Sequence, residues 1–147
     1  MIELKSASEI ALMRKAGRVV AGLLDALADL VKPGMTTKAL DEAAMTYLRE
    51  QGATPAFLGY RGFPASICVS VNDEVVHGIP GTRRIREGDV VSLDAGAVVS
   101  GYYADAAITV AVGAIDPAAR RLVETTQQAL AMGIRQATVG NRLSDIS

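Results

Sequence analysis

The chain is short of the groups that announce most functions. Its 147 residues hold one cysteine, one histidine and no tryptophan. A lone cysteine, Cys68, excludes an internal disulfide framework and suits a reducing compartment. Lys and Arg number 15 against 16 Asp and Glu, a net charge of −1, which gives no general electrostatic reason to bind nucleic acid or an anionic membrane. The opening "MIELKSASEIALMRK" lacks the apolar core of a signal peptide, so the expected location is the cytoplasm. From Ala95 to Ile115 only Asp105 is charged, yet glycines and a turn-like "SG" break the run. A central Asp costs about 2.5–3.5 kcal/mol on insertion scales, and no membrane span is expected. No linker or low-complexity segment interrupts the chain, and its length predicts a single domain, residues 1–147.

Half of the residues are hydrophobic, enough for a sizeable core. "SASE" (Ser6–Glu9) is a capping box, and Ile10, Met13, Val20, Leu24, Leu27 and Val31 follow at helical spacing. "KPG" stops that helix. Thr36 or Thr37 opens a second one, ended by Gly52. "SICVSV" (Ser66–Val71) alternates as a strand, "ND" turns it, and "EVVHG" is read as a strand ending at a Gly-Ile-Pro turn. "GDVVSLDAGAVV" and "GYYADAAITVAVG" are two further strands. Asp116 and Pro117 open a third helix. Placing Gly140 on Gly34 sets Ile146 on Leu40 and Leu130 on Leu24, so a second helix–turn–helix unit is expected to begin near the end.

"SLDAGAVVSGYYADAAIT" (Ser92–Thr109) places two aspartates, Asp94 and Asp105, in one of the most apolar stretches, with no cation between them. On one helix they would stand about 16 Å apart, too far to share a ligand. A hairpin turning at residues 98–101, with Val99 opposite Ser100, sets them directly opposite, with Cβ atoms roughly 4.5–5.5 Å apart. Like charges there destabilise unless one carboxylate keeps its proton, both hold a cation, or both face solvent. Carboxylate ligation suits Mn²⁺, Fe²⁺, Co²⁺ or Zn²⁺, but two ligands are short of a full site. His77 reads either as a satisfied strand-end residue or as a group facing a substrate.

"FLGYRGFPASICVSVNDEVVHGIP" (Phe57–Pro80) and "GDVVSLDAGAVVSGYYADAAITVAVG" (Gly88–Gly113) resemble the type I methionine aminopeptidases, nearly end to end. The resemblance implies an α+β architecture, the first half of a pita-bread fold: an antiparallel sheet with flanking helices, continuing just into a second repeat related to the first by a pseudo-two-fold axis. It implies metal-dependent removal of N-terminal methionine from nascent proteins and peptides, at two divalent ions (Co, Mn, Fe, Zn or Ni). Asp94 and Asp105 match two of five metal ligands. His77 matches a catalytic, substrate-contacting histidine. Phe57, Tyr60, Phe63 and Cys68 match positions lining the pocket for the methionine side chain, which aromatic and sulfur contacts suit.

The departures from the pattern bear on activity. The other three ligands, a second histidine and the general-base glutamate belong to the family's second half, which these 147 residues do not contain. The chain alone is therefore expected to be inactive. It is expected to act on peptide N-termini only when completed by a C-terminal half, or to form a homodimer. A metal-free pita-bread binding module is the alternative, and both aspartates argue against it.

Overall fold

The computed structural model describes residues 3–147. These form two compact units, the first running to Ala114 and the second comprising Ile115–Ser147.

In the first unit, helix α1 (Ala7–Leu30) starts at the capping box: the Glu9 N–H donates to Ser6 Oγ and the Ser6 N–H donates to Glu9 Oε2 at 2.8 Å. Helix α2 (Thr37–Glu50) is capped by Thr36, whose hydroxyl accepts from the Ala39 N–H. Four strands follow: β1 (Thr54–Pro55), β2 (Ile67–Val71), β3 (Val90–Val99) and β4 (Tyr102–Ala111). All pairings are antiparallel. The long β3 is the axis of the sheet. One edge carries β4 along its whole length; the other carries β2 at residues 91–95 and β1 at residues 97–98.

Alternation makes the sheet two-faced. Val91, Leu93, Ala95, Ala97 and Val99 of β3, with Ile67, Val69 and Val71 of β2, pack against Val20, Leu23, Leu24 and Leu27 of α1 and Leu40, Ala44 and Leu48 of α2. Burying each large side chain here contributes roughly 1.5–3 kcal/mol. The opposite face carries Cys68, Ser92, Asp94, Gly96, Tyr103, Asp105 and Thr109. The helices thus stabilise one side of the sheet and leave the polar side for chemistry.

Two sequence readings need correction. The β3–β4 turn is the two-residue loop Ser100–Gly101, with φ of 52° and 83°, as the tight I′ hairpin requires. Val99 therefore pairs with Tyr102 rather than with Ser100. Asp94 pairs with Ala107 and Asp105 with Gly96, so the aspartates are not directly opposite. The register is displaced by two residues, and an even displacement keeps both carboxylates on one face. Residues 74–78, secondly, do not form a strand. Asn72 (φ 60°) and His77 (φ 59°) leave the extended region. The Val71 N–H, which a returning strand could have engaged, donates to Glu74 Oε2 at 2.8 Å.

The second unit holds α3 (Pro117–Gln136), capped by Asp116, and the short α4 (Leu143–Ile146). Helices end at Leu30 and Gln136, left-handed glycines stand at Gly34 and Gly140 (φ 90° and 100°), and the next helices begin at Thr37 and Leu143. One spacing carries all three features of α1–α2 onto α3–α4, so the repeat read from the sequence has a counterpart in local geometry. A Cβ on Gly133 would lie 3.3 Å from Ile146 Cγ2, which shows how closely α4 sits on α3.

Candidate metal and substrate site

A cavity of about 620 Å³ lies on the polar face of the sheet, lined by Phe57, Tyr60, Phe63, Cys68, His77, Asp94 and Asp105, with Arg61 and Ile79 at its wall. The size suits a small ligand or a few peptide residues. All seven site residues named from the sequence therefore share one cavity. Arg61 and Ile79 were not among them. The one available signal for Arg61 was its position in "GYRG", between two glycines of a tight turn.

Three local devices build the cavity. The loop 57–63 closes on itself: Tyr60 N–H donates to Phe57 O, Gly59 N–H to Phe63 O, and Phe63 N–H to Tyr60 O, all at 2.9–3.0 Å. Phe57 then lies over β3 because Gly96 has no side chain; a Cβ there would come within 2.7 Å of Phe57 Cε1. Gly78 presses on β2 so closely that a Cβ would meet Val69 O at 2.2 Å. Its N–H donates to Ser70 Oγ and its carbonyl accepts from the Val69 N–H. This anchors the neighbouring His77 beside the sheet face.

The electrostatics centre on Asp94. It is half-buried, and its Oδ1 has no hydrogen-bond partner. Burial pushes its pKa up, the Asp105 carboxylate pushes it further, and His77 pulls it partly back. Cys68, cross-strand from Asp94, is pushed up to about 11 by burial and then by both aspartates. Its thiol stays protonated at neutral pH, which makes it a polarizable wall rather than a nucleophile.

An orphaned buried carboxylate oxygen beside a second carboxylate fits a divalent cation. Diagonal neighbours on a sheet sit roughly 7–8 Å apart, so the two side chains can approach a cation from two sides. They do not make a complete site. Among the described residues no three His, Cys, Asp or Glu side chains gather around a common point. Asp94 and Asp105 fit as two ligands of a larger set.

Residues 11–147 match the model of metallopeptidase family M24. The chain belongs to this family. It is 48% identical to methionine aminopeptidase 1 of Bacillus subtilis over 147 residues, all of this chain and 59% of that protein. It is 51% identical to methionine aminopeptidase 1 of Mycobacterium tuberculosis, over 97% of this chain and 54% of that protein. The crystal structure of methionine aminopeptidase from Thermotoga maritima superposes with a TM-score of 0.96 at 41% identity, covering 99% of this chain and 59% of that one. The chain thus spans between half and two thirds of the length of these relatives. The M24 match bears out the resemblance read from the sequence, and the architecture is the first half of the pita-bread fold. No helix among the described residues is long and apolar enough to cross a membrane.

Proposed function

We propose that residues 1–147 are the N-terminal portion of a methionine aminopeptidase catalytic domain, acting on peptide N-termini in the cytoplasm. The observation that carries this reading is the cavity in which two acidic side chains meet a sulfur-and-aromatic wall. Phe57, Tyr60, Phe63 and Cys68 receive the methionine side chain; an apolar thioether gains from aromatic and sulfur contacts. His77 faces the scissile peptide and donates a hydrogen bond to its carbonyl oxygen. Asp94 and Asp105 hold divalent cations, with the remaining ligands and the general base supplied by residues outside this chain. Bound divalent ions would polarise the carbonyl and lower the pKa of water.

A non-catalytic binding module would have no use for paired carboxylates whose proximity costs stability. A subunit completed by a second chain, either a C-terminal half or another copy, keeps the same site. The test is methionine release from Met-Ala-Ser, by the chain alone and after mixing with a separately expressed C-terminal half of a methionine aminopeptidase. Release only from the mixture, lost in Asp105→Ala, supports the reading. Release by the chain alone would place a complete catalytic set within these 147 residues and defeat the assignment of the general base. No release from a mixture shown to associate would favour the binding module.

A further inference from the structure

Arg61 is a charged side chain in an unusual setting. It occupies the left-handed region at φ 49°, between Gly59 (φ 81°) and Gly62 (φ 83°). A non-glycine residue held there costs of order 1–3 kcal/mol, and the cost is met by the backbone hydrogen bonds that close the loop 57–63. Its guanidinium lies over the Tyr60 ring, 5.5 Å from the centroid, which restricts where the charge can point. Arg61 is the one permanent cation among the residues lining the cavity. Among the described residues no carboxylate lies within ion-pair distance of it. Arg83, by contrast, is taken by Glu74 at 2.8 Å.

The cavity is therefore polarised. Two carboxylates stand on the sheet face and one exposed guanidinium stands on the loop wall, with the apolar side chains of Phe57, Tyr60 and Phe63 beside it. A peptide entering amine-first sets its N-terminus at the acidic end of the cavity and its first side chain against the apolar wall. The residues that follow pass the loop. An oriented guanidinium with no internal partner binds a carboxylate there in preference to a neutral group.

We propose that Arg61 is a specificity-determining residue that selects methionyl peptides bearing a carboxylate within their first three residues. The carboxylate can come from an acidic side chain or from the C-terminus of a very short peptide. The assignment rests on the methionyl-peptide reading of the cavity given above, and adds to it the chemistry of the part of the ligand beyond methionine.

The test is calorimetric binding of three peptides to the full chain at low ionic strength: Met-Ala-Asp amide, Met-Ala-Asn amide and Met-Ala-Asn with a free C-terminus. The wild type should bind one or both carboxylate-bearing peptides about fivefold more tightly than the neutral amide, the size expected of an exposed ion pair. Which of them gains tells the side chain from the terminus. Arg61→Gly should level the three affinities. Glycine takes positive φ without cost, so the loop survives, and an unchanged circular dichroism spectrum checks that it has. Arg61→Lys should keep a reduced preference, having the charge without the planar fork. Equal binding of all three peptides by the wild type, or a preference that survives Arg61→Gly, would overturn the assignment and leave the methionyl-peptide reading intact. Failure of every peptide to bind would overturn the Arg61 assignment, while the methionyl-peptide reading stands or falls separately on methionine release from the mixture with a C-terminal half.

Discussion

Asp94 and Asp105 are diagonal neighbours on one face of the β3–β4 hairpin, each cross-strand from a residue without a bulky side chain, Ala107 and Gly96 respectively. Gly96 lets the Phe57 ring lie over β3, and both carboxylates line the cavity that this ring helps to wall. Without a cation the arrangement costs stability, because Asp94 is half-buried with an unpaired oxygen and faces a like charge. Asp94→Asn should therefore make the metal-stripped chain more stable at neutral pH, by about 1 kcal/mol, the low end of the cost of an unpaired buried polar group. Urea denaturation in the presence of chelator measures it. A less stable variant would mean that the carboxylate is satisfied as it stands.

Phe57 depends on Gly96. A methyl group at Gly96 would lie 2.7 Å from Phe57 Cε1 and 2.9 Å from Ala56 Cβ. Neither distance is tolerable, and the Ala56 N–H, just beyond β1, holds the backbone there by donating to Gly96 O at 3.0 Å. Gly96→Ala should force the Phe57 ring out of the cavity and destabilise the fold by about 1–3 kcal/mol, the usual range for overpacking. The added loss of methionine binding, read by calorimetry, separates a wall displaced from a fold merely weakened.

Glu9 ties α1 to the sheet: besides closing the capping box it accepts from the Tyr102 hydroxyl at 3.0 Å. The Ser6 backbone N–H, then the Ser6 hydroxyl, then the Tyr102 hydroxyl lower its carboxyl from 4.5 to about 2. A carboxyl depressed by folding stabilises the fold above its unfolded value and loses that contribution as pH falls through its folded value. The difference in Tm between wild type and Glu9→Gln should hold steady above pH 4.5, narrow below it, and vanish towards about 2. A difference independent of pH would exclude the charge as its source.

Ser100 sits at φ 52° in the turn that sets the register. Asn adopts that region far more readily than Ser, and Asn-Gly is the favoured pair for such a loop. Ser100→Asn should stabilise the chain by about 1 kcal/mol, the order of the left-handed penalty. A variant less stable than wild type would contradict the two-residue turn, and with it the diagonal placement of the aspartates.

What could be read from the sequence divides along the range of the interactions. Ser6 with Glu9, Thr36, and Asp116 with Pro117 announce their helices through contacts within one turn, and those starts stand as read. The hairpin register was less legible because "VVSGYY" can turn at more than one place; only the positive φ at both Ser100 and Gly101 decides it. The aspartates share a face in either register, since a two-residue shift preserves side-chain parity. Thr54 and Pro55 show no periodicity, and become a strand solely by pairing with Ala97 and Val98. Asp94, Asp105 and His77 stand out from their own sequence setting, and Phe57, Tyr60, Phe63 and Cys68 through motif resemblance, while Arg61 and Ile79 join them only in three dimensions.

The proposed divalent-cation site rests on Asp94 and Asp105 acting together. Titration of Mn²⁺ into metal-stripped protein, followed by calorimetry for the wild type, Asp94→Asn and Asp105→Asn, tests it most directly. The wild type should show weak saturable binding, below that of a complete ligand set, and either variant should lose it. Titrations that are identical for all three proteins would contradict it.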